Sequence, residues 1–194
     1  MAETPSQMMR LDTEAPDFAL RNVVDDREIK RDDFRGQRGL LVAFICNHCP
    51  FVKIMKDQLS QLGRDLREKD IGMVAICSND AGNYPDDHPD KMKADAARYG
   101  YPFPYLHDEN QDVAKAYRAA CTPDFFLFDA NFKLIYRGQF DDARPGNGLP
   151  VSGSDIRMAV NALLGGKPPI DTQKPSIGCN IKWKPGNEPD YYKH

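Results

Sequence analysis

The stretch that decides the fold is LLVAFICNHCPFVK, residues 40–53. Residues 40–45 form an unbroken apolar run of strand length, which is typical of a strand buried on both faces. Between residues 51 and 66 apolar side chains recur at helical spacing, which predicts one long helix after the strand. Cys46 and Cys49 are therefore expected at the junction where a buried strand ends and a helix begins.

Such a junction favours reactive thiols. Backbone N–H groups at a helix start are unpaired, and the helix dipole places partial positive charge beside them, so a thiolate is stabilised there. C-x-x-C pairs lower the pKa of one cysteine below the free value of about 8.5. We expect Cys46 to be the exposed attacking thiol and Cys49 to close a reversible disulfide. A protonated His48 would add positive charge and raise the reduction potential of the pair.

Two other interpretations of the cysteine pair stay open on the sequence alone. The thiols could be inert packed side chains. They could instead be half of a zinc site, whose closed form needs four ligands. The sequence holds no second C-x-x-C and no H-x-x-x-H, so such a site would have to draw on Cys121, Cys179 and His48 at unusual spacing.

An acidic loop follows the second buried run of the sequence. It contains Asp86, Asp87 and Asp90, but it lacks the spacing and the twelfth-position glutamate of an EF-hand calcium loop. We expect this loop to be solvated.

Composition excludes several classes of protein. A chain of 194 residues with a net charge of −3 and interleaved signs shows no basic footprint for nucleic acid and no polybasic membrane patch. The first residues contain no apolar segment of the kind found in secretory signals, and no apolar run approaches the roughly 18 residues of a spanning helix. We expect a soluble, cytoplasmic protein that binds neither nucleic acid nor membranes. Five cysteines in a reducing compartment also argue against a disulfide framework.

Strand and helix patterns alternate along the rest of the chain. Alternation that ends in a hairpin predicts an α/β fold with a mixed sheet covered by helices. The prolines of residues 101–106 suit an edge strand or a loop. Further strands are predicted at 18–20, 28–30, Ile71–Cys77, 125–129 and 134–137, and further helices at 88–98, 112–119 and Ser154–Leu164.

The chain is expected to divide into three parts. Residues 1–11 form a flexible lead-in, and residues 12–165 form one domain. Residues 166–194 are rich in proline, glycine and lysine, which predicts an irregular C-terminal extension.

Several stretches together resemble a known family. They are EAPDFAL at 14–20, RDDFRGQRGLLVAF at 31–44, CNHCPFVK at 46–53, CTPDFFLFDANFKLIYRG at 121–138 and PSIGCNIKWKPGNEP at 175–189. The set resembles the thioredoxin fold and, more closely, the peroxiredoxin-like branch of the alkyl hydroperoxide reductase/thiol-specific antioxidant (AhpC/TSA, redoxin) family.

The resemblance implies a thioredoxin-like fold, in which helices flank a mixed central β-sheet, with an N-terminal β-hairpin and an irregular C-terminal tail. It also implies that the extension over residues 166–194 packs on the domain. Cys46 matches the nucleophilic cysteine of thioredoxins, and Cys49 matches the resolving one. Pro123 matches the cis-proline, with Thr122 before it. In that fold a substrate chain pairs with the backbone of this segment as an added strand.

Comparison with peroxiredoxins assigns the cysteines differently. Their P-x-x-x-T-x-x-C motif places Cys49 in the position of the peroxide-attacking cysteine, followed by Pro50. Cys46 then stands at the threonine position and Val42 at the proline position, while the position of the catalytic arginine falls near Pro123. The groups that polarise peroxide are thus replaced and a second thiol is gained, which favours disulfide exchange over peroxide reduction.

These observations predict a thiol–disulfide oxidoreductase that uses the Cys46–Cys49 pair and no cofactor. Its substrate is expected to be a protein or small-molecule disulfide or a peroxide, and a thioredoxin or glutathione system would serve as reductant. A thiol peroxidase with antioxidant function and a metal-binding thiol protein without turnover are the alternatives. Cys121 and Cys179 are candidate auxiliary thiols, the second only if the tail folds back with Trp183 as its anchor.

Overall fold

The computed structural model describes residues 3–192, which form ten strands and five α-helices. The strands are β1 (Glu3–Pro5), β2 (Ala19–Asn22), β3 (Glu28–Lys30), β4 (Gly39–Phe44), β5 (Ile71–Cys77), β6 (Tyr105–His107), β7 (Cys121–Thr122), β8 (Asp124–Asp129), β9 (Leu134–Gly138) and β10 (Ile177–Asn180). The helices are α1 (Pro50–Lys53), α2 (Lys56–Glu68), α3 (Pro89–Tyr99), α4 (Asp112–Ala116) and α5 (Ser154–Leu164).

A seven-stranded sheet forms the centre of the molecule, with the strand order β3-β2-β6-β5-β4-β8-β9. Strand β4 pairs in parallel with β5, which pairs in parallel with β6, whereas the other neighbours in this sheet are antiparallel. The mixed α/β architecture is therefore confirmed. The N-terminal hairpin of β2 and β3 and the hairpin of β8 and β9 are confirmed as well.

Strand β4 explains why its sequence is apolar without alternation. Leu41 and Ala43 belong to the core on one face of the sheet, and Leu40, Val42 and Phe44 belong to the core on the other face. The first core is closed by side chains of α2, α3 and α5, and the second by α4 and the C-terminal segment. Every position of the strand is buried, so a strand at the centre of a doubly covered sheet requires a continuous apolar run.

The predicted long helix after the cysteine pair is interrupted, which corrects the sequence interpretation. Helix α1 ends at Lys53 and α2 begins at Lys56. At Met55 the backbone N–H donates to Val52, only three residues back, and φ is −109°. This tight turn separates α1 from α2, but the apolar period continues through it. The period alone therefore did not reveal the interruption.

The two chain termini form a strand pair where the sequence predicted irregular structure. Strand β10 pairs antiparallel with β1 on one side and with β7 on the other, giving a three-stranded sheet. Ile181 and Trp183 follow β10 and are buried in the second core. The C-terminal extension was predicted to contain no regular element, and β10 corrects this, because the strand depends on long-range pairing. Residues 1, 2, 193 and 194 lie outside the described residues, and the three-part division of the chain stays a prediction.

Smaller differences concern individual elements. Strand β6 lies inside the sheet rather than at an edge, because Pro104 precedes the strand and leaves its ladder intact. Helix α4 ends three residues earlier than predicted, at Ala116, and Arg118 then adopts a left-handed φ of 50°. Within residues 3–192 no helix combines the length and the apolar character needed to cross a bilayer.

Candidate active site

The cysteine pair lies between β4 and α1, but the two cysteines meet the helix differently from the prediction. Helix α1 begins at Pro50, which suits the first helical position because proline lacks an N–H and has a preset φ. Cys49 is the N-cap residue of α1, and Cys46 lies three residues upstream of it. The helix start therefore supports Cys49, and the expectation that it supports Cys46 was wrong.

Burial also corrects the expectation of an exposed attacking thiol. The relative exposure of Cys46 is 1%, that of Cys49 is 0% and that of Cys179 is 2%. Burial raises the pKa of the Cys46 thiol well above its ordinary value, and the hydrogen bond to Cys49 and the charge of Asp87 act in the same direction. A buried thiol with a raised pKa is a poor first nucleophile.

Cys49 occupies the centre of a group of three thiols. The Sγ atom of Cys49 lies 2.9 Å from Cys179 Sγ and is also hydrogen-bonded to Cys46. Hydrogen bonds from Cys179 and from Cys46 lower the pKa of Cys49, and the backbone N–H groups of Cys179 and Val52 contribute, although burial opposes them. Negative charge in this group is therefore concentrated on Cys49.

Thr122 contacts both members of the pair. Its Oγ1 atom lies 3.2 Å from Cys46 Sγ, and its carbonyl oxygen lies 3.2 Å from Cys49 Sγ and accepts a hydrogen bond from that thiol when it is protonated. The Thr122–Pro123 peptide bond is cis, as predicted. Strand β7 thus brings one residue against both sulfur atoms.

Asp87 is the main site residue that the sequence interpretation missed. Its side chain is fully buried, and its carboxylate accepts hydrogen bonds from the Asn47 N–H at 2.7 Å and from Asn79 Nδ2 at 2.8 Å. Burial opposes ionisation, but the hydrogen bonds from His48 and Asn79 outweigh it and lower the pKa of Asp87. The expectation of a solvated loop was wrong for Asp87, although Asp86 is exposed as expected.

His48 lies near both the Asp87 carboxylate and the Cys46 thiol. Its Nδ1 atom lies 2.6 Å from Asp87 Oδ2, and its ring stacks on Tyr84 with centroids 5.7 Å apart. Among the described residues, His48 Nε2 is buried without a hydrogen-bond partner. Ligand atoms of Cys46, His48 and Asp87 lie within 4.8 Å of one another, so these three side chains could hold a metal ion.

Of the two candidate auxiliary thiols, the structure places Cys179 and not Cys121 against Cys49. Cys179 joins the site, because β10 pairs with β7 in a register that sets Cys179 opposite Thr122. Cys121 is fully buried, and its described hydrogen bond runs to the Pro123 carbonyl oxygen at 3.5 Å rather than to another sulfur. Burial raises the pKa of Cys121 well above its ordinary value, so it has the properties of a packed side chain.

The sheet order and the cis peptide bond beside the dithiol define a thioredoxin-like protein. The thioredoxin domain of a thiol-disulfide oxidoreductase from Bacteroides vulgatus has this fold, with a TM-score of 0.59 and 15% identity over 77% of this chain and 97% of that one. The chain belongs to the AhpC/TSA family, whose family model matches residues 11–137.

Two further relatives have a higher and a lower sequence identity to this chain. An uncharacterized conserved protein from Geobacillus kaustophilus is 53% identical, with a TM-score of 0.93 over 96% of this chain and 98% of that one. The thiol-disulfide oxidoreductase ResA of Oceanobacillus iheyensis is 24% identical over 132 residues, or 66% of this chain. The match spans 65% of the length of ResA.

Proposed function

We propose that this protein is a thiol–disulfide oxidoreductase that cycles between the Cys46–Cys49 dithiol and the corresponding disulfide. The observation that carries the proposal is the position of Thr122, which precedes the cis proline and lies 3.2 Å from Cys46 Sγ through its Oγ1 atom and 3.2 Å from Cys49 Sγ through its carbonyl oxygen. The similarity to ResA, a protein named for this activity, supports it.

The environment of each thiol favours an order of events opposite to the one expected from sequence. Cys49 is the sulfur whose ionised form receives hydrogen bonds, whereas burial raises the pKa of Cys46. In the proposed order, the Cys49 thiolate attacks one sulfur of a substrate disulfide and expels the other as a thiolate, which takes a proton from water. Cys46 then attacks Cys49 in the mixed disulfide, releases the second substrate thiol and leaves the Cys46–Cys49 disulfide.

Substrate and partners follow from this chemistry as part of the proposal. The substrate is a protein or small-molecule disulfide, and a thioredoxin or glutathione system returns the pair to the dithiol. The odd number of cysteines fits a reducing compartment, so we propose the cytoplasm as the setting.

A thiol peroxidase is the second candidate, because Cys49 is the N-cap of α1 and its pKa is lowered. In that reaction the Cys49 thiolate attacks a peroxide oxygen, giving a sulfenic acid and an alcohol or water. Condensation with Cys46 would then yield the same disulfide and release water. A thiol replaces the family threonine at position 46, so we propose that this activity is the slower one.

Turnover assays on variants test the choice between these activities. We expect wild type to reduce insulin disulfides with a thiol reductant, and expect both Cys46→Ser and Cys49→Ser to lose this activity. The double variant Cys46→Ser with Cys179→Ser, which removes both thiols beside Cys49, should accumulate a mixed disulfide on Cys49. Cys77→Ala is the matched control, because Cys77 is a core residue at the end of β5. Fast consumption of hydrogen peroxide that survives Cys46→Ser, without insulin reduction, would favour the peroxidase.

Metal binding without turnover is tested separately. Protein purified under reducing conditions should contain less than stoichiometric zinc if the thiols serve exchange. Stoichiometric zinc that is lost on His48→Ala would favour the Cys46, His48 and Asp87 cluster as a metal site.

A further inference from the structure

The C-terminal strand is held against the site by more than one contact. Its register sets Cys179 opposite Thr122 and Asn180 opposite Cys121. Beyond the strand, the Ile181 N–H donates to the Ala120 carbonyl oxygen at 3.1 Å. Side chains of the segment that follows are buried in the core. The position of Cys179 is therefore fixed by strand pairing and by the backbone hydrogen bond that follows the strand.

Gly178 permits the close approach of β10 to β7. A Cβ atom at this position would lie 2.0 Å from the carbonyl oxygen of Thr122 and 3.1 Å from Pro123 Cδ. Any side chain at 178 would force the two strands apart. The absence of a side chain next to Cys179 thus lets the third sulfur reach the pair.

Two thiols are hydrogen-bonded to Cys49, namely Cys179, whose Sγ lies 2.9 Å away, and Cys46. A thiol that attacks a mixed disulfide on Cys49 can therefore come from Cys46 or from Cys179. Burial raises the pKa of Cys77 and Cys121, and the hydrogen bond to Cys49 raises the pKa of Cys179 as well, so position rather than ionisation distinguishes these thiols. Cys179 is the described thiol outside the C-x-x-C pair whose sulfur lies against Cys49.

Resting on the proposed oxidoreductase function, we infer that Cys179 is a second resolving thiol, which forms a Cys49–Cys179 disulfide and covalently fixes β10 over the site. Two balanced steps lead to it. Cys179 attacks Cys49 in the mixed disulfide, the bond to the substrate sulfur breaks, and the substrate thiol leaves with the proton of Cys179. Alternatively, Cys179 attacks Cys49 in the Cys46–Cys49 disulfide, and Cys46 leaves as a thiol with that proton. The second step consumes no oxidant or reductant.

The position of β10 affects how a substrate would reach the Cys46–Cys49 pair. The thioredoxin-like segment that a substrate strand would join is already occupied by β10, with Cys179 next to the nucleophile. A Cys49–Cys179 disulfide would hold β10 over the site. The oxidation would then be retained within the protein as that disulfide. Reduction of that bond would remove the covalent link to β10 and regenerate Cys49 as a nucleophile.

Disulfide mapping tests this inference. Trypsin cuts after arginine and lysine but not before proline, so Cys46 and Cys49 fall in fragment 39–53 and Cys179 falls in fragment 158–182. Full-length protein is equilibrated in a glutathione series, alkylated, digested and analysed by mass spectrometry. A Cys46–Cys49 bond leaves fragment 39–53 single, whereas a Cys49–Cys179 bond joins the two fragments.

We expect wild type to show both species and Cys46→Ser to show the joined fragments as its predominant oxidised form. Cys179→Ser should lose the joined species and keep the bond within fragment 39–53, while Cys121→Ala should behave as wild type. If wild type forms the Cys46–Cys49 bond but Cys46→Ser never joins the fragments, the inference is overturned and the proposed function stands. If wild type forms neither bond, both are overturned.

Discussion

The sulfur atoms of Cys49 and Cys179 lie 2.9 Å apart, although 130 positions separate the two residues in the chain. The contact makes the C-terminal strand part of the candidate active site. It also explains the burial of the thiols, because β10 covers the segment that carries Thr122. We infer from the proposed function that β10 has to move before a protein substrate reaches Cys49.

The first prediction concerns this cover. Gly178→Ala should force β10 away from β7, because the new Cβ would lie 2.0 Å from the Thr122 carbonyl oxygen. We expect faster alkylation of Cys49 and Cys179 and faster amide exchange in β10. The control is Gly82→Ala, where the nearest atom is a flexible Asp80 carboxylate oxygen at 3.2 Å. Equal alkylation rates in Gly178→Ala and wild type would show that β10 does not limit access.

The second prediction concerns the ionisation of Cys49. Hydrogen bonds from Cys179 and Cys46 lower its pKa, so the ultraviolet thiolate absorbance should contain a step below the free cysteine value of about 8.5. That step should vanish in Cys49→Ser and move to higher pH in Cys179→Ser. Because the folded pKa is the lower one, the ionised thiol stabilises the reduced fold above about pH 8.5, and this contribution is lost as pH falls through the folded pKa. A wild-type titration with no step below pH 8.5 would contradict the assignment.

The third prediction concerns Thr122. Thr122→Val removes the hydroxyl that lies 3.2 Å from Cys46 Sγ, while the backbone carbonyl beside Cys49 remains. Loss of one hydrogen bond to the reduced thiol costs about 1 kcal/mol, which lowers the reduction potential by roughly 20 mV. A glutathione redox titration measures the shift. The exposed Thr172→Val variant should keep the wild-type potential, and a rise in potential for Thr122→Val would refute the explanation.

The fourth prediction concerns the buried carboxylate. Asp87→Asn replaces one carboxylate oxygen by an N–H₂ group, which must face either the Asn47 N–H or the partners His48 and Asn79, so the reduced protein should lose about 2–3 kcal/mol of unfolding free energy. Denaturant unfolding measures the loss, and the exposed Asp86→Asn is the control.

Acid unfolding supplies a second test of Asp87. Its folded pKa is lowered, so its contribution is present above the unfolded value of about 3.9 and is lost as pH falls through the folded pKa. Asp87→Asn should therefore show a smaller loss of stability in that acidic window than wild type. An unchanged acid profile would mean that the carboxylate does not stabilise the fold.

Local patterns in the sequence predicted the parts of the fold that depend on local physics. The apolar runs of β4 and β5 and the amphipathic period of α5 follow from which faces are buried, and they were confirmed. The cis bond before Pro123 came from the family resemblance and was confirmed as well. Catalytic roles for the cysteines were also predicted, and they stay predictions.

What the sequence did not reveal depends on contacts between distant residues. Asp87 resembles its exposed neighbour Asp86 in sequence, and only the approach of Asn47, 40 positions earlier, gives it buried donors. Strand β10 has no alternating pattern, and its pairing with β1 and β7 joins both ends of the chain. One signal was available, because the polar Asn47 and His48 between two buried cysteines require an acceptor.

The most direct test of the central claim is the redox equilibrium of fragment 39–53 in wild-type protein across a glutathione series. The account predicts that this fragment reversibly loses its two thiol hydrogens as the buffer becomes more oxidising, and that Cys77→Ala behaves in the same way. A fragment that keeps both thiols reduced throughout the series, in protein that remains folded, would contradict the assignment of Cys46 and Cys49 as a redox pair.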